Sequence, residues 1–175
     1  MIPFPVAINL GTDIVHLPRI ASLLARRGNN LSRFTRRILC DQEQRDFHRR
    51  FKDSIALQPQ SKPSNSIYTP PVTADMTRWL AGRFAAKEAA RKAAPCGAAS
   101  IGWKDVMVRV QKESDINSGA ERDPDTVKAA MAEGVSRRPE IVYLGTKEDG
   151  SDSRIGRLSI SHDGDYVTAT VLAAG

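Results

Sequence analysis

No stretch of this 175-residue chain holds about eighteen consecutive apolar residues, so no membrane-spanning helix is expected. Aromatic residues are scarce, at 6%, and they do not interleave repeatedly with basic ones. A stacking platform for single strands needs that interleaving, so nucleic acid is not an expected partner. Cys40 and Cys96 stand far apart, without the close spacing of a metal knuckle. They read as two reduced thiols in an intracellular protein. The first residues lack a charged leader region and an Arg-rich amphipathic stretch. A strand pattern beginning by Val6 is expected to leave little room for a removable presequence.

Acidic residues are the minority charge. Lys and Arg number 26 against 20 Asp and Glu, a formal net charge of +6. That balance favours acidic or phosphorylated partners. Apolar residues, at 41%, are enough for a real core in one domain spanning 1–175. Gln58–Thr73 carries four prolines among serines and asparagine and reads as an insertion rather than a boundary. Residues 111–156 form a second, variable segment. It holds a short helical pattern from Asp123 to Gly134, a strand from Pro139 to Leu144 and polar loops.

The most informative stretch is Arg83-Phe84-Ala85-Ala86-Lys87-Glu88-Ala89-Ala90-Arg91-Lys92. Asp75 is a candidate cap for its helix, and Ala94-Pro95-Cys96-Gly97 is its stop signal. Leu80, Phe84, Glu88 and Lys92 are four apart and share a stripe that begins apolar and ends charged. Trp79, Arg83, Lys87 and Arg91 form the neighbouring, mostly cationic stripe. One reading is a solvated face with a Glu88–Lys92 ion pair. The other is a metal-binding carboxylate beside phosphate-binding cations.

Two other regions bear on that choice. Val6–Gly11 reads as a strand ended by Gly11-Thr12-Asp13, which leaves Asp13 at a turn or a site. Pro18 opens an amphipathic helix through Leu24 that closes at Gly28-Asn29-Asn30. Six arginines (Arg19, Arg26, Arg27, Arg33, Arg36 and Arg37) crowd this part of the chain. Asp41 and Gln44 suit a capping box for a helix reaching about Lys52. Ile101–Val110 reads as a strand. Leu158–His162 and Tyr166–Leu172 alternate around Asp163-Gly164-Asp165, a strong hairpin signal. The expected fold class is α/β, of the α+β type, with a long central helix on a mostly antiparallel sheet that ends in a β-hairpin.

Three stretches in order, GTDIVHLPRI from Gly11, RFAAKEAARKA from Arg83 and SISHDGDYVTATV from Ser159, carry a resemblance. RFTRRIL from Arg33 adds a fourth. Together they resemble the stand-alone holo-acyl-carrier-protein synthases of the 4′-phosphopantetheinyl transferase superfamily, over about Ala7 to Leu172. The resemblance implies that fold and a Mg²⁺-dependent transfer. Phosphopantetheine would move from coenzyme A to a serine of acyl carrier protein, releasing adenosine 3′,5′-bisphosphate. It assigns Asp13 and Glu88 to the metal. It gives Lys87 and Lys92 to coenzyme A phosphates and places His162 near the nucleotide. Arg83 and Arg91 join the same cationic grip as candidates, although Arg91 stands where the family often has a small residue and also reads as surface. Arg19, Arg26 and Arg33 would receive the carrier protein. The resemblance further implies a homotrimer with sites between subunits. Departures in the variable segments point towards a fungal, mitochondrial-matrix member, with the cytoplasm as the alternative.

The chemistry is coherent by itself. A hard ion binds through one or two carboxylates, waters and substrate phosphates. Lysines can stabilise charge that builds on phosphoryl oxygens. A serine hydroxyl needs a base, for which Glu88 (directly or through a water it holds) and then His162 are the candidates. The competing reading is a basic, non-catalytic docking module for an acidic protein, which would need neither carboxylate.

Overall fold

In a computed structural model, residues 7–26, 28–56, 72–95, 97–110, 138–145 and 153–175 are described. Alternating patterns build one sheet from β1 (Ile8–His16), β2 (Val106–Val110), β3 (Pro139–Tyr143), β4 (Arg154–Asp163) and β5 (Tyr166–Ala174). The strand order is β1-β5-β4-β3-β2, and every neighbouring pair is antiparallel. The hairpin falls where Asp-Gly predicts it: Asp163 faces Tyr166, and Gly164 takes φ +51°. Val167, Ala169, Val171 and Ala173 alternate inward from β5.

Against that face lies α5 (Ala74–Lys92), with Ala81, Ala85, Ala86, Ala89 and Ala90 fully buried. Small side chains bring helix and sheet close. Gly11 shows how close: a Cβ there would stand 1.9 Å from the Ala89 carbonyl oxygen and 2.7 Å from the Ala93 nitrogen. Both are backbone atoms, so neither can rotate away. The helices α1 (Leu17–Ala25), α2 (Asn30–Ile38), α3 (Asp41–Arg50) and α4 (Lys52–Ala56) precede α5 in the chain. Ile20, Leu24, Leu31, Ile38, Phe47 and Phe51 supply their share of the core. Phe47 also packs on Trp79 of α5, ring centres 5.5 Å apart. The tip of the hairpin closes on α1, where the Leu17 N–H donates to the Asp165 carbonyl at 2.7 Å.

Several boundaries differ from expectation. β1 does not stop at Gly11-Thr12-Asp13; it pairs with β5 through His16, so Asp13 sits mid-strand opposite Ala169. Gly11 marks the close approach of α5 rather than a turn. α1 ends at Ala25, and Arg26 is already extended. The box at α3 lies one residue earlier than expected, with Cys40 as N-cap and Glu43 at N3. The cap of α5 is Thr73, whose hydroxyl accepts from the Met76 N–H at 3.1 Å, and Asp75 lies in the first turn. The strand expected from Ile101 begins only at Val106, and β4 begins earlier than expected, at Arg154. The helix expected over Asp123–Gly134 and nearly all of the Pro/Ser-rich insertion lie outside the described residues.

Candidate active site

The expected stripe on α5 is a gradient from inside to outside. Leu80 is fully buried, Phe84 is partly buried, Glu88 keeps 22% of its side chain exposed and Lys92 47%. β1 runs antiparallel to α5: Gly11 touches Ala89 and Ala93, while the far end of the hairpin reaches Gly82. Asp13, two residues beyond Gly11, lies on the same strand face, within reach of the charged end of the stripe. Lys92 Nζ donates to Asp13 Oδ1 and to the Thr12 carbonyl, both at 2.9 Å. Glu88 lies one helical turn before Lys92 on the same face. The structure thus joins Asp13 to Lys92, with Glu88 one turn away along the same helix face.

The simple helix pair between Glu88 and Lys92 does not form. Glu88 is held instead by Arg91, whose Nη1 lies 2.8 Å from Oε1. Each candidate carboxylate therefore has its own cation, one from each of two consecutive residues. Asp13 is 17% exposed, so neither carboxylate is fully solvated or fully enclosed. Among the described residues no group of three or more His, Cys, Asp or Glu gathers. Two half-buried carboxylates suit a hard ion that keeps waters and shares phosphate oxygens with a substrate. They do not form a closed cage for zinc. The residues present fit magnesium.

Lys87, expected at a coenzyme A phosphate, turns to the interior. Its side chain is fully buried. Its three donors are all used, by Glu43 at 2.5 Å, the Ile38 carbonyl at 2.7 Å and the Trp103 carbonyl at 2.9 Å. Burial lowers its pKa, and Glu43 opposes that shift. Arg83 is drawn to the same place. It stacks 3.3 Å over the Trp79 ring, its Nε lies 3.8 Å from Glu43 Oε1, and burial lowers its pKa to about 10. Arg91 likewise spends its donors on the protein, at Glu88, Ile101 and Ala98. Of the four cations expected to grip phosphate, Lys92 is the one left substantially exposed.

Glu43 is the residue that sequence reasoning missed. It is fully buried and accepts from Val108 N–H at 3.0 Å and Cys40 N–H at 3.1 Å as well as from Lys87. One carboxylate thereby ties α3, α5 and β2 together. The signal was present three residues after Cys40, but Asp41 and Gln44 make the more conventional box. Cys40 sits against the same carboxylate, and burial raises its pKa.

His162 is exposed on β4, with its ring close to Gly82, where a Cβ would meet it at 3.9 Å. Gly82 precedes Glu88 by six residues, about 9 Å along the axis, so His162 meets the helix nearly two turns before Glu88. Arg19, Arg26 and Arg33 are exposed, as docking requires. Arg26 lies past the end of α1, so it does not continue the helical face that carries Arg19. Arg33 opens onto a hollow that Arg36, Arg37 and Lys104 share with Asp41 and Gln44.

Residues 9–170 match the model of the 4′-phosphopantetheinyl transferase superfamily. The chain belongs to that superfamily. It is 54% identical over its whole length to the mitochondrial 4′-phosphopantetheinyl transferase B of Aspergillus fumigatus, covering 99% of that protein. It is 30% identical to a holo-acyl-carrier-protein synthase of Shouchella clausii, covering 94% of this chain and 96% of that one. The fold agrees with that of a holo-acyl-carrier-protein synthase from Bacillus anthracis solved in complex with coenzyme A (3′,5′-ADP). There the TM-score is 0.53 at 23% identity, covering 95% of this chain and 96% of the other. The Plasmodium yoelii acyl carrier protein synthase with ADP bound gives a TM-score of 0.56 at 20% identity, covering 95% and 94%. Family membership makes the chain an enzyme of the phosphopantetheinyl transferase type. The expected fold class, a long helix on an antiparallel sheet ending in a hairpin, is the one observed.

Proposed function

We propose that this single-domain phosphopantetheinyl transferase moves 4′-phosphopantetheine from coenzyme A to a serine of apo-acyl carrier protein. The other product is adenosine 3′,5′-bisphosphate. The observation that carries the reading is that Lys92 reaches Asp13 one helical turn from Glu88, with both carboxylates half-buried and each paired with its own cation. In this reading Asp13 and Glu88 hold Mg²⁺, which when bound supplies charge neutralisation at the transferring phosphate. The exposed Lys92 ammonium can leave Asp13 for a coenzyme A phosphate, where charge-assisted bonds are strong. Glu88, partly desolvated, is the first candidate to take the serine proton, and His162 the second. Lys87 and Arg83 stay inside and support the helix.

The carrier protein would dock on the basic surface of Arg19, Arg26 and Arg33, extended by Arg36, Arg37 and Lys104 around the hollow. The sheet face turned away from α5 supports self-association. Ile8, Leu10 and Ile14 of β1 are 47%, 63% and 66% exposed, beside Tyr166 and Leu172 of β5. A contiguous apolar face on a sheet edge is the kind of surface that subunits cover. A homotrimer is the assembly we propose, with each site completed at a subunit boundary. Similarity to a protein named as mitochondrial favours the matrix as location.

The test is direct. The protein is incubated with coenzyme A, Mg²⁺ and an apo carrier protein, and the carrier is weighed by mass spectrometry. A gain of one phosphopantetheine on the acceptor serine is expected. No gain across several carriers, with binding retained, would leave the chain as a docking module.

A further inference from the structure

Arg91 was expected to touch phosphate or to lie on the surface. Its guanidinium is part-buried and bonded to the protein at three nitrogens. Nε donates to the Ile101 carbonyl at 2.7 Å and Nη2 to the Ala98 carbonyl at 2.8 Å. Nη1 donates to Glu88 Oε1 at 2.8 Å. Its Cζ lies 5.1 Å from the centre of the Trp103 ring. One turn earlier, Lys87 donates to the Trp103 carbonyl at 2.9 Å. Two cations flanking Glu88 thus bind three carbonyls of the loop from 97 to 103.

A guanidinium is rigid and planar, with its donors in a fixed fork. Two bonds to loop carbonyls set the plane, and the third direction then follows. That direction ends on one oxygen of Glu88. We infer that Arg91 is a positioning residue: it uses the 97–103 loop as a fixed support to hold the Glu88 carboxylate in one rotamer, committing Oε1 and leaving Oε2 for metal or proton. The inference rests on the reading of Glu88 as an acting group. Lys92, one residue on, makes the contrast. It is a point charge on a flexible stem, 47% exposed, and it can change partners. Arg91, 21% exposed and held at three nitrogens, stays where it is.

The test has two arms on the full chain. In the first, the side-chain scalar couplings of Glu88 are measured by NMR in the wild type, Arg91→Met and Arg91→Lys. A single rotamer is expected in the wild type and averaging in Arg91→Met. Arg91→Lys, which keeps the charge and is the milder change should Arg91→Met fail to fold, is also expected to average because it lacks the fork. Unchanged couplings in either folded variant overturn the inference, whatever the activity. In the second arm, transfer kinetics and coenzyme A calorimetry are compared below the melting temperature. Arg91→Met is expected to lower kcat about tenfold or more and to change the coenzyme A Kd less than about twofold. In a Glu88→Gln background the same substitution should cost little further, since its effect passes through Glu88. A loss of coenzyme A affinity matching the loss of kcat/KM would make Arg91 a phosphate ligand and overturn the inference. An unchanged kcat with a lowered melting temperature would reduce it to a loop clamp and overturn it too. Averaged couplings in the Arg91 variants, beside a wild type that holds one rotamer but transfers nothing, would uphold the positioning and refute the proposed function instead.

Discussion

Lys87 and Glu88 are neighbours on one helix, yet they belong to two different electrostatic regions. On one side of α5, Lys87, Glu43 and Arg83 form a buried group in which Lys87 meets two further carbonyls and Glu43 two backbone N–H groups. On the other, Glu88, Asp13 and Lys92 lie at the rim, each partly open to water. Both groups pair carboxylate with ammonium or guanidinium. The difference is desolvation. A buried ion pair that loses one member strands the other charge, so it is a fixture of the fold. A rim pair can exchange its partner for an ion or a phosphate at modest cost, because water stands in during the exchange. The helix keeps the two groups apart through its own periodicity, since residues 87 and 88 point about 100° from each other.

The comparison breaks first if the helix is pushed off the sheet. Gly11→Ala would place a Cβ against two backbone atoms of α5. We expect a loss of about 3–5 kcal/mol or failure to fold, read by urea unfolding, because neither atom can yield without moving the whole helix. A variant as stable as the wild type would show that β1 and α5 are further apart than described. Next comes the buried group. Glu43→Ala strands Lys87 and leaves the Val108 and Cys40 N–H groups unpaired, which should cost about 3–5 kcal/mol. Lys87→Met added to Glu43→Gln should cost less than the sum of the two singles, and strict additivity in a thermal double-mutant cycle would deny the coupling.

At the rim the expected signs change. Asp13→Asn and Glu88→Gln should leave stability within about 1 kcal/mol of wild type and lower transfer by at least about 100-fold, because a hard ion needs charged oxygens. Near-normal turnover of either variant at limiting Mg²⁺ would remove that residue from the metal. Lys92→Ala should weaken coenzyme A binding by roughly tenfold, as measured by calorimetry, with no matching loss of carrier affinity. Unaltered affinity would confine Lys92 to its ion pair with Asp13. The smallest effect belongs to the exposed arginines. Arg19→Glu or Arg26→Glu should raise the Michaelis constant for carrier protein a few-fold, an effect that shrinks as salt screens exposed charges over about 8 Å. A salt-independent constant, equal in wild type and variants, would move docking to the Arg36, Arg37 and Lys104 hollow.

Much of this arrangement was legible in the residues. The four-residue stripe from Leu80 to Lys92 foretold a helix that emerges from the core at Glu88. Asp163-Gly164 foretold the hairpin, and the alternation of β5 foretold its buried face. The short-range rules were less secure at boundaries. Asp75 and Asp41 are good caps by type, but Thr73 and Cys40 won those places because packing sets where each helix begins. Asp13 reads as a turn or site residue at a strand end, because Gly11 resembles a strand end. Only the contact with α5 explains that glycine.

The sequence by itself determined the local matters, namely the helix, the hairpin and the family, because period, turn chemistry and ordered motifs depend on residues close in the chain. The tertiary structure alone decided which cations face outward. Lys87, Arg91 and Lys92 are chemically similar and nearly adjacent; the helical period puts Lys92 on another stripe, but it does not say which stripe is buried. Glu43 lies 44 positions from Lys87, and Asp13 lies 79 from Lys92. Those distant carboxylates, one delivered into the interior and one to the rim, bury Lys87 and leave Lys92 partly open to water.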